Sequence, residues 1–326
     1  MFAAIHDTYG EPADVLAARE TERPEPTAGE ALIRMVLSPI HNHDLWTIRG
    51  NYGYKPPLPG AIGGSEALGI VEALGEGVDP ELLGKRVSVA GVHGAWAEYF
   101  TAPAATLLPL PETISDTAGA QLVAMPFSAL SLLETLKVGK GEWLVQTAAN
   151  GAVGKIMAGL AKARGIHLLN LVRRDEAANE LLRSGMTNVL STADPDWKSK
   201  ARALIGEAGA VSAIDSVGGE MATHLVDLLG TDGELVVFGT ATGAPLALSS
   251  GELITKHVTV KGFWGARVSK EMAPETRRRL IGELVELATR GELPLESEGS
   301  YALSRCADAM KAALTPGRSG KVMLRP

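Results

Sequence analysis

The chain has 326 residues, enough for two domains at roughly 150 residues each, and 45% of them are hydrophobic, 21% charged and 5% aromatic, the usage of an ordinary globular protein. Thirty-one Lys and Arg against 38 Asp and Glu leave a formal charge of −7, the wrong sign for a nucleic-acid footprint. The single cysteine, Cys306, excludes an intramolecular disulfide and any multi-cysteine zinc cluster. No apolar run reaches the roughly 18 residues of a membrane span, and the opening MFAAIHDTYGEPADV, with an acid at position 7, is not a signal peptide; a cytoplasmic protein is expected.

Up to about residue 118 the chain reads as short strands separated by turn residues: ALIRMVLSPI (31–40), ALGIVEALG (67–75), KRVSVAGV (85–92) and AWAEYFTA (95–102). The intervening GNYGYKPPLPG (50–60), crowded with Gly and Pro, cannot form regular structure. Many short strands with turn punctuation predict a small β-barrel-like unit. From residue 119 the rhythm changes to alternating helices and strands. One helix is predicted over 117–136, a buried strand over 143–149, a helix over 152–165 and a strand over 166–172. A helix at 175–185 follows, then strands at 187–192, 211–217, 233–239 and 258–264, with helices near 196–207 and 219–229. Six apolar strands separated mostly by helices predict a doubly wound parallel sheet, hence an α/β fold. The charged helix after residue 270 and the tail SGKVMLRP have no linker to isolate them and are expected to pack back on the first unit, giving a discontinuous domain 1–118 and 265–326 around a nucleotide-binding domain 119–264.

The strand at 143–149 runs through Asn150, Gly151, Ala152, Val153 and Gly154 into a helix. Glycines there let a backbone approach a pyrophosphate and let helix and strand pack closely, while the helix start offers free N–H groups and a positive dipole end. The usual first glycine is Ala148, so the fingerprint is incomplete, but strand, turn, helix and strand occur in the required order. About 20 residues further on, an acid would bond the ribose hydroxyls of NAD; here stand Arg173 and Arg174. Guanidinium pairs with a 2′-phosphate and a carboxylate repels it, so NADPH is the expected cofactor. Asp215, ending the fourth strand, lies too far along the sheet to reach that ribose.

A catalytic zinc needs about three converging ligands. Of seven histidines only His41 and His43 cluster, with Asp44 and Glu66 as the nearby carboxylates. On an extended segment an i, i+2 pair points to opposite faces, so no metal is expected and His41 reads as a neutral hydrogen-bonding residue lining a pocket.

These stretches, from GEPADVL through HNHDLWTIRGNYGYKPPLPGAIGGSEALGIVEALGEGV and TAANGAVGKIMAGLAKARG to AIDSVGG, VTVKGFW and GKVMLRP, resemble the zinc-free branch of the medium-chain dehydrogenase/reductase superfamily, its quinone reductases and 2-enoyl thioester reductases. The resemblance implies a GroES-like catalytic domain plus a Rossmann domain with the active site in the cleft between them. The zinc enzymes of that superfamily carry Cys where this chain has His41 and GHE where it has Gly64-Ser65-Glu66. Gly50-Asn51-Tyr52-Gly53 and Gly262-Phe263-Trp264 look most like mitochondrial-type enoyl thioester reductases; the resemblance carries a proton-donor role to Tyr52 and places Phe263 and Trp264 by the nicotinamide and substrate pocket. Where the family has Asn-Pro-x-Asp this chain has His41-Asn42-His43-Asp44, so His41 enters as a second candidate donor. A free tyrosine titrates near 10 and keeps its proton at neutral pH, as an acid requires. Ser128 is a candidate for the nicotinamide carboxamide; Phe238, Gly239 and Thr240 end a strand at the ligand edge; Lys321 is a candidate for a cofactor phosphate. The reading is a metal-free, NADPH-dependent reductase of an activated C=C bond in a small molecule, foremost a 2-enoyl thioester. A quinone or α,β-unsaturated carbonyl is the alternative substrate, and a non-catalytic nucleotide-binding regulator the remote one. The resemblance also implies a homodimer paired through the strand near 258–262.

Overall fold

The computed structural model describes residues 1–315 and 317–326. Its packing divides the chain into a first unit, Met1–Ala124 with Glu283–Pro326, and a second, Met125–Gly282. The stretch 265–282, expected with the first unit, packs with the second.

The first unit is antiparallel for the most part. β1 (Phe2–His6), β2 (Ala17–Glu20) and β4 (Ala61–Ile62) form a small sheet with β1 at its centre. A larger sheet is built around β3 (Glu30–Pro39), which pairs with β5 (Glu66–Leu74) and β7 (Tyr99–Pro103); β6 (Arg86–Ala90) and β8 (Leu108–Pro109) extend it beyond β5. The carboxyl-terminal strands of the chain, β15 (Ser297–Ala302) and β16 (Lys321–Arg325), complete its other side: β16 sets Met323 and Leu324 opposite Pro39 and Ser38 of β3. Ile33, Met35, Ala67, Val87, Val89, Trp96 and Phe100 close the core beneath, joined by Met310 from the helix Cys306–Leu314.

The second unit is a six-stranded, all-parallel sheet of β9 (Trp143–Gln146), β10 (His167–Val172), β11 (Val189–Ser191), β12 (Ala210–Asp215), β13 (Leu229–Val237) and β14 (Thr259–Gly262), in the order β11-β10-β9-β12-β13-β14. The chain winds outward from β9 to one edge, returns, and winds outward from β12 to the other. Strands buried on both faces read as near-continuous apolar runs rather than alternating ones, as in LLNLV of β10, where every side chain, Asn170 included, is buried.

Two local expectations fail. The helix predicted over 117–136 is broken into Asp116–Gly119 and Ala124–Thr135, because the N–H groups of Val123 and Ala124 turn to the carboxylate of Glu66 instead of a preceding turn. Pro126, lacking an N–H, sits in the first turn of the second helix, where none is needed. The segment holding His41 and His43 is not extended: His41 caps a helix, Asn42–Ile48, whose start is held by the His41 N–H donating to Asp44 Oδ2 at 2.9 Å.

Candidate active-site residues

The second unit carries the glycine turn expected to cradle a nucleotide. Strand order reverses between β9 and β12, and in such sheets ligands bind outside the carboxyl ends of the strands at that point. After β9 the chain turns through Thr147–Asn150 into the helix Ala152–Ala163, with Gly151 as its extended cap. Ala148 takes φ +52 there, the left-handed backbone for which the fingerprint ordinarily uses glycine, so the turn keeps its shape without the residue. Gly154 is irreplaceable on steric grounds: a Cβ would lie 2.7 Å from Ala149 Cα and 2.8 and 2.9 Å from the carbonyl oxygens of Ala149 and Ala148. That packing brings the first helical turn, with Ala152 and Val153, down on the strand end, and the N–H groups of such a helix start are free to meet an anion. Asn150 and Gly151 are exposed at the rim.

Thr147 ties this turn to the next strand end, its Oγ1 accepting the Ser216 N–H at 2.8 Å. Asp215 is buried and spends Oδ1 on the N–H groups of Val217 and Gly218 at 2.8 and 3.1 Å. It ends β12, on the opposite side of β9 from β10, and so shapes its own loop instead of meeting a ribose beyond β10. At the end of β10 stand Arg173 and Arg174, both exposed, with Arg174 capping the helix Asp175–Arg183 in an extended conformation. Neither makes an ion pair among the described residues. Two cations at a positive helix end are mildly unfavourable in the chain alone, an arrangement that an arriving phosphate would relieve.

Further along the edge, the N–H groups of Phe238 and Gly239 both donate to the Asp215 carbonyl, at 2.7 and 3.1 Å, and Thr240 follows at the surface. The Phe238 and Phe263 rings meet with centroids 5.9 Å apart. Ser128 approaches the neighbouring backbone, its Oγ 3.2 Å from where a Cβ on Gly265 would be. Ser128, Phe238, Gly239 and Phe263 therefore gather near the ends of β13 and β14. Trp264, 69% exposed, caps the helix Gly265–Glu271 and packs in no core.

The remaining candidates, His41, Tyr52 and Lys321, belong to the first unit and share one polar cluster. His41 is fully buried, and its Nε2 lies 2.7 Å from Glu66 Oε2, itself fully buried. Glu66 Oε1 accepts the N–H groups of Val123 and Ala124 at 2.8 and 2.7 Å. Burial pushes the Glu66 carboxyl up to about 7 and the His41 imidazole well below its ordinary value, so both favour their uncharged forms. His41, the second candidate donor, is thus sealed from solvent and engaged with Glu66. Lys321 is largely buried close to Asp44 and Glu66, with burial lowering its ammonium pKa against the pull of those carboxylates.

His43, which the sequence offered only as a possible metal ligand, is the half-buried member. Its Nε2 is 2.7 Å from Ser65 Oγ, and that hydroxyl is 2.6 Å from Asp44 Oδ1. The His41 ring stacks on it at 5.0 Å and the Tyr52 ring at 5.7 Å, 29° from parallel. Tyr52, 37% exposed, thus sits against a histidine, and Tyr9 donates its hydroxyl to the Pro56 carbonyl at 3.1 Å.

The fold and these sites define a two-unit oxidoreductase of the medium-chain dehydrogenase/reductase superfamily, and the chain belongs to that family. Residues 27–112 match the alcohol dehydrogenase GroES-like domain and residues 152–281 the zinc-binding dehydrogenase domain. Among named relatives, the human mitochondrial enoyl-[acyl-carrier-protein] reductase is 27% identical over 331 residues, covering 99% of this chain and 88% of the human protein. A Bacillus thuringiensis structure assigned as an NADPH:quinone reductase superposes with TM-score 0.90 at 28% identity, covering all of this chain and 98% of that one. The Escherichia coli quinone oxidoreductase, solved in complex with NADPH, gives TM-score 0.85 at 25% identity with full coverage of both chains.

The second matched domain is named for zinc, which the donor set of this chain does not suit. Among the described residues no three His, Cys, Asp or Glu side chains form a group that could hold a metal. Glu66 has committed both oxygens, one to His41 and the other to two backbone N–H groups. The residues present do not fit a zinc ion, and no catalytic step is assigned to one.

Proposed function

We propose that this protein is an NADPH-dependent reductase of an activated carbon–carbon double bond, with a 2-enoyl thioester as its substrate class. The observation that carries the cofactor is the unpaired, exposed Arg173-Arg174 pair at the end of β10, beside the Gly151–Gly154 helix start: a place built for two phosphate groups, one on the dipole and one on guanidinium. The substrate class is supported by the enoyl reductase relatives and by Tyr52, a phenol exposed at the edge of a polar cluster. NADPH, when bound, supplies the hydride. Ser128 would orient the nicotinamide amide, and Phe238, Gly239 and Phe263 would wall the nicotinamide end. Reduction of C=C also needs a proton at the α-carbon and donors for the developing enolate oxygen; Tyr52 supplies the proton.

The similarity to NADPH-bound quinone oxidoreductase supports a second reading, reduction of a quinone or enone. The test is NADPH oxidation followed with crotonyl-CoA, a long-chain enoyl thioester, a naphthoquinone and a simple enone. Turnover of thioesters above the others supports the first reading; turnover of the quinone alone selects the second. Silence on all four with measurable NADPH binding would leave a nucleotide-binding regulator. A homodimer is part of the same proposal, supported by β14, which among the described residues pairs only with β13 and ends the sheet; no helix among the described residues is long and apolar enough to cross a membrane. A cytoplasmic address is likewise proposed, supported by the lone, buried, unpaired Cys306.

A further inference from the structure

The polar cluster of the first unit contains a directional chain of hydrogen bonds that none of the roles above uses. A carboxylate only accepts. Asp44 Oδ2 accepts the His41 backbone N–H at 2.9 Å and Asp44 Oδ1 lies 2.6 Å from the Ser65 hydroxyl, so Ser65 spends its one proton on Asp44. The Ser65 oxygen can then only accept from His43 Nε2, 2.7 Å away. The direction Nε2–H to Ser65 to Asp44 is forced, and with it the tautomer: in neutral His43 the proton is on Nε2 and the lone pair on Nδ1. The two stacked histidines differ at that atom. Among the described residues His41 Nδ1 is sealed from solvent without a partner, whereas His43 Nδ1 has no hydrogen bond and is not among the sealed atoms. The ring therefore has one nitrogen held and one free to exchange a proton, and it carries Tyr52 on its open face.

We propose that His43 returns a proton to Tyr52 in every turnover, with Ser65 and Asp44 as positioning residues; this rests on the C=C reductase reading above. Once hydride has added at the β-carbon, the Tyr52 O–H bond breaks and its proton forms the new C–H bond at the α-carbon, discharging the enolate and leaving a phenolate. The imidazolium form of His43 releases the proton from Nδ1, through one bridging water, to the phenolate oxygen. Neutral His43 keeps Nε2–H on Ser65 and takes a fresh proton from solvent at Nδ1. Each cycle thus consumes one hydride and one solvent proton. The transfer is routed through water because the rings stack, with centroids 5.7 Å apart and planes 29° from parallel, instead of sharing a direct hydrogen bond. The titratable groups facing His43 are Asp44 on its own helix, His41 on the other ring face, Glu66 from β5 and Tyr52 from the loop, with Lys321 of β16 acting on Asp44 and Glu66.

The test compares wild type with His43→Gln, which keeps a donor for Ser65 but has no exchangeable acid, and with Ser65→Ala, which keeps the imidazole but frees Nε2. For His43→Gln the expected result is a loss of about 10²-fold in kcat on the enoyl thioester, in the range for a positioned acid. NADPH affinity by fluorescence titration should hold, and the fall of kcat toward high pH should disappear. The loss on naphthoquinone should be smaller, because both product protons end on oxygen and exchange with water. Ser65→Ala should displace the alkaline limb of the kcat profile without abolishing it. Unchanged thioester turnover and pH profile in His43→Gln overturns the relay alone, as does an equal loss on thioester and quinone, which marks a structural role. Absence of wild-type turnover on any enoyl substrate overturns both the relay and the function it rests on.

Discussion

Replacing Arg173 and Arg174 by alanine tests the cofactor assignment with little else disturbed. Both side chains are exposed and neither is ion-paired among the described residues, so their removal leaves no buried group without a partner. Surface changes of this kind stay within about 0.5 kcal/mol, and losing the Arg174 charge from the cap of the Asp175–Arg183 helix relieves a dipole term of a few tenths of a kcal/mol. The folded chain should melt at nearly the wild-type temperature. The cofactor should feel the loss fully. A hydrogen bond to a charged group is worth about 1.5–3 kcal/mol; taking the lower end for guanidinium groups as exposed as these, the pair is worth about 3 kcal/mol. At 1.4 kcal/mol per decade that is about 10²-fold in NADPH affinity. NADH has no 2′-phosphate to lose and should bind within about twofold of wild type. Fluorescence titration with both nucleotides reads the ratio, which should fall to near unity in the double variant. A double variant that still prefers NADPH, or a wild-type chain that binds NADH as tightly, would refute the reasoning.

Three further outcomes follow from the same geometry. Gly154→Ala must push a methyl against three backbone atoms at 2.7–2.9 Å, none at the end of a flexible side chain; overpacking costs about 1–3 kcal/mol, and thermal melting should show a drop with NADPH binding weakened alongside. Tyr52→Phe should lower thioester turnover by about 10²-fold or more while NADPH titration is unchanged. Glu66→Gln should alter the pH dependence of stability. With burial raising the Glu66 carboxyl from 4.5 to about 7, the folded chain holds a proton that the unfolded chain has already lost between those values, so this contribution to stability declines as pH rises through that window. Its full span is up to about 3 kcal/mol. Melting curves of wild type minus variant should therefore decline from pH 4.5 to 7, and a flat difference would contradict the assignment.

The parallel sheet was legible because each of its strands is an apolar run of the right length between helical stretches with the right period, and local pattern decides such elements. The helix Asn42–Ile48 was not: seven residues give too few turns for a period, and its start is held by Asp44 reaching back to His41, with none of the usual Ser or Thr caps to announce it. Reading that stretch as extended sent the His41 and His43 rings to opposite faces, when they stack at 5.0 Å. The break between Gly119 and Ala124 was invisible for a different reason, since the acceptor that claims those N–H groups, Glu66, lies 57 and 58 residues away in sequence. The strand–turn–helix geometry at Ala148 to Gly154 was readable from adjacent residues, whereas the His43–Ser65–Asp44 chain depends on β5 passing the start of a helix. Only the density of polar residues in HNHD and GSE hinted at it.

The most direct measurement is isotopic. Reduction of a 2-enoyl thioester with NADPH deuterated at the transferring position should place one deuterium at the β-carbon of the product. The converse experiment, ordinary NADPH in deuterated water, should place one at the α-carbon. A product free of cofactor deuterium, or a thioester left unreduced while NADPH binds, would contradict the account.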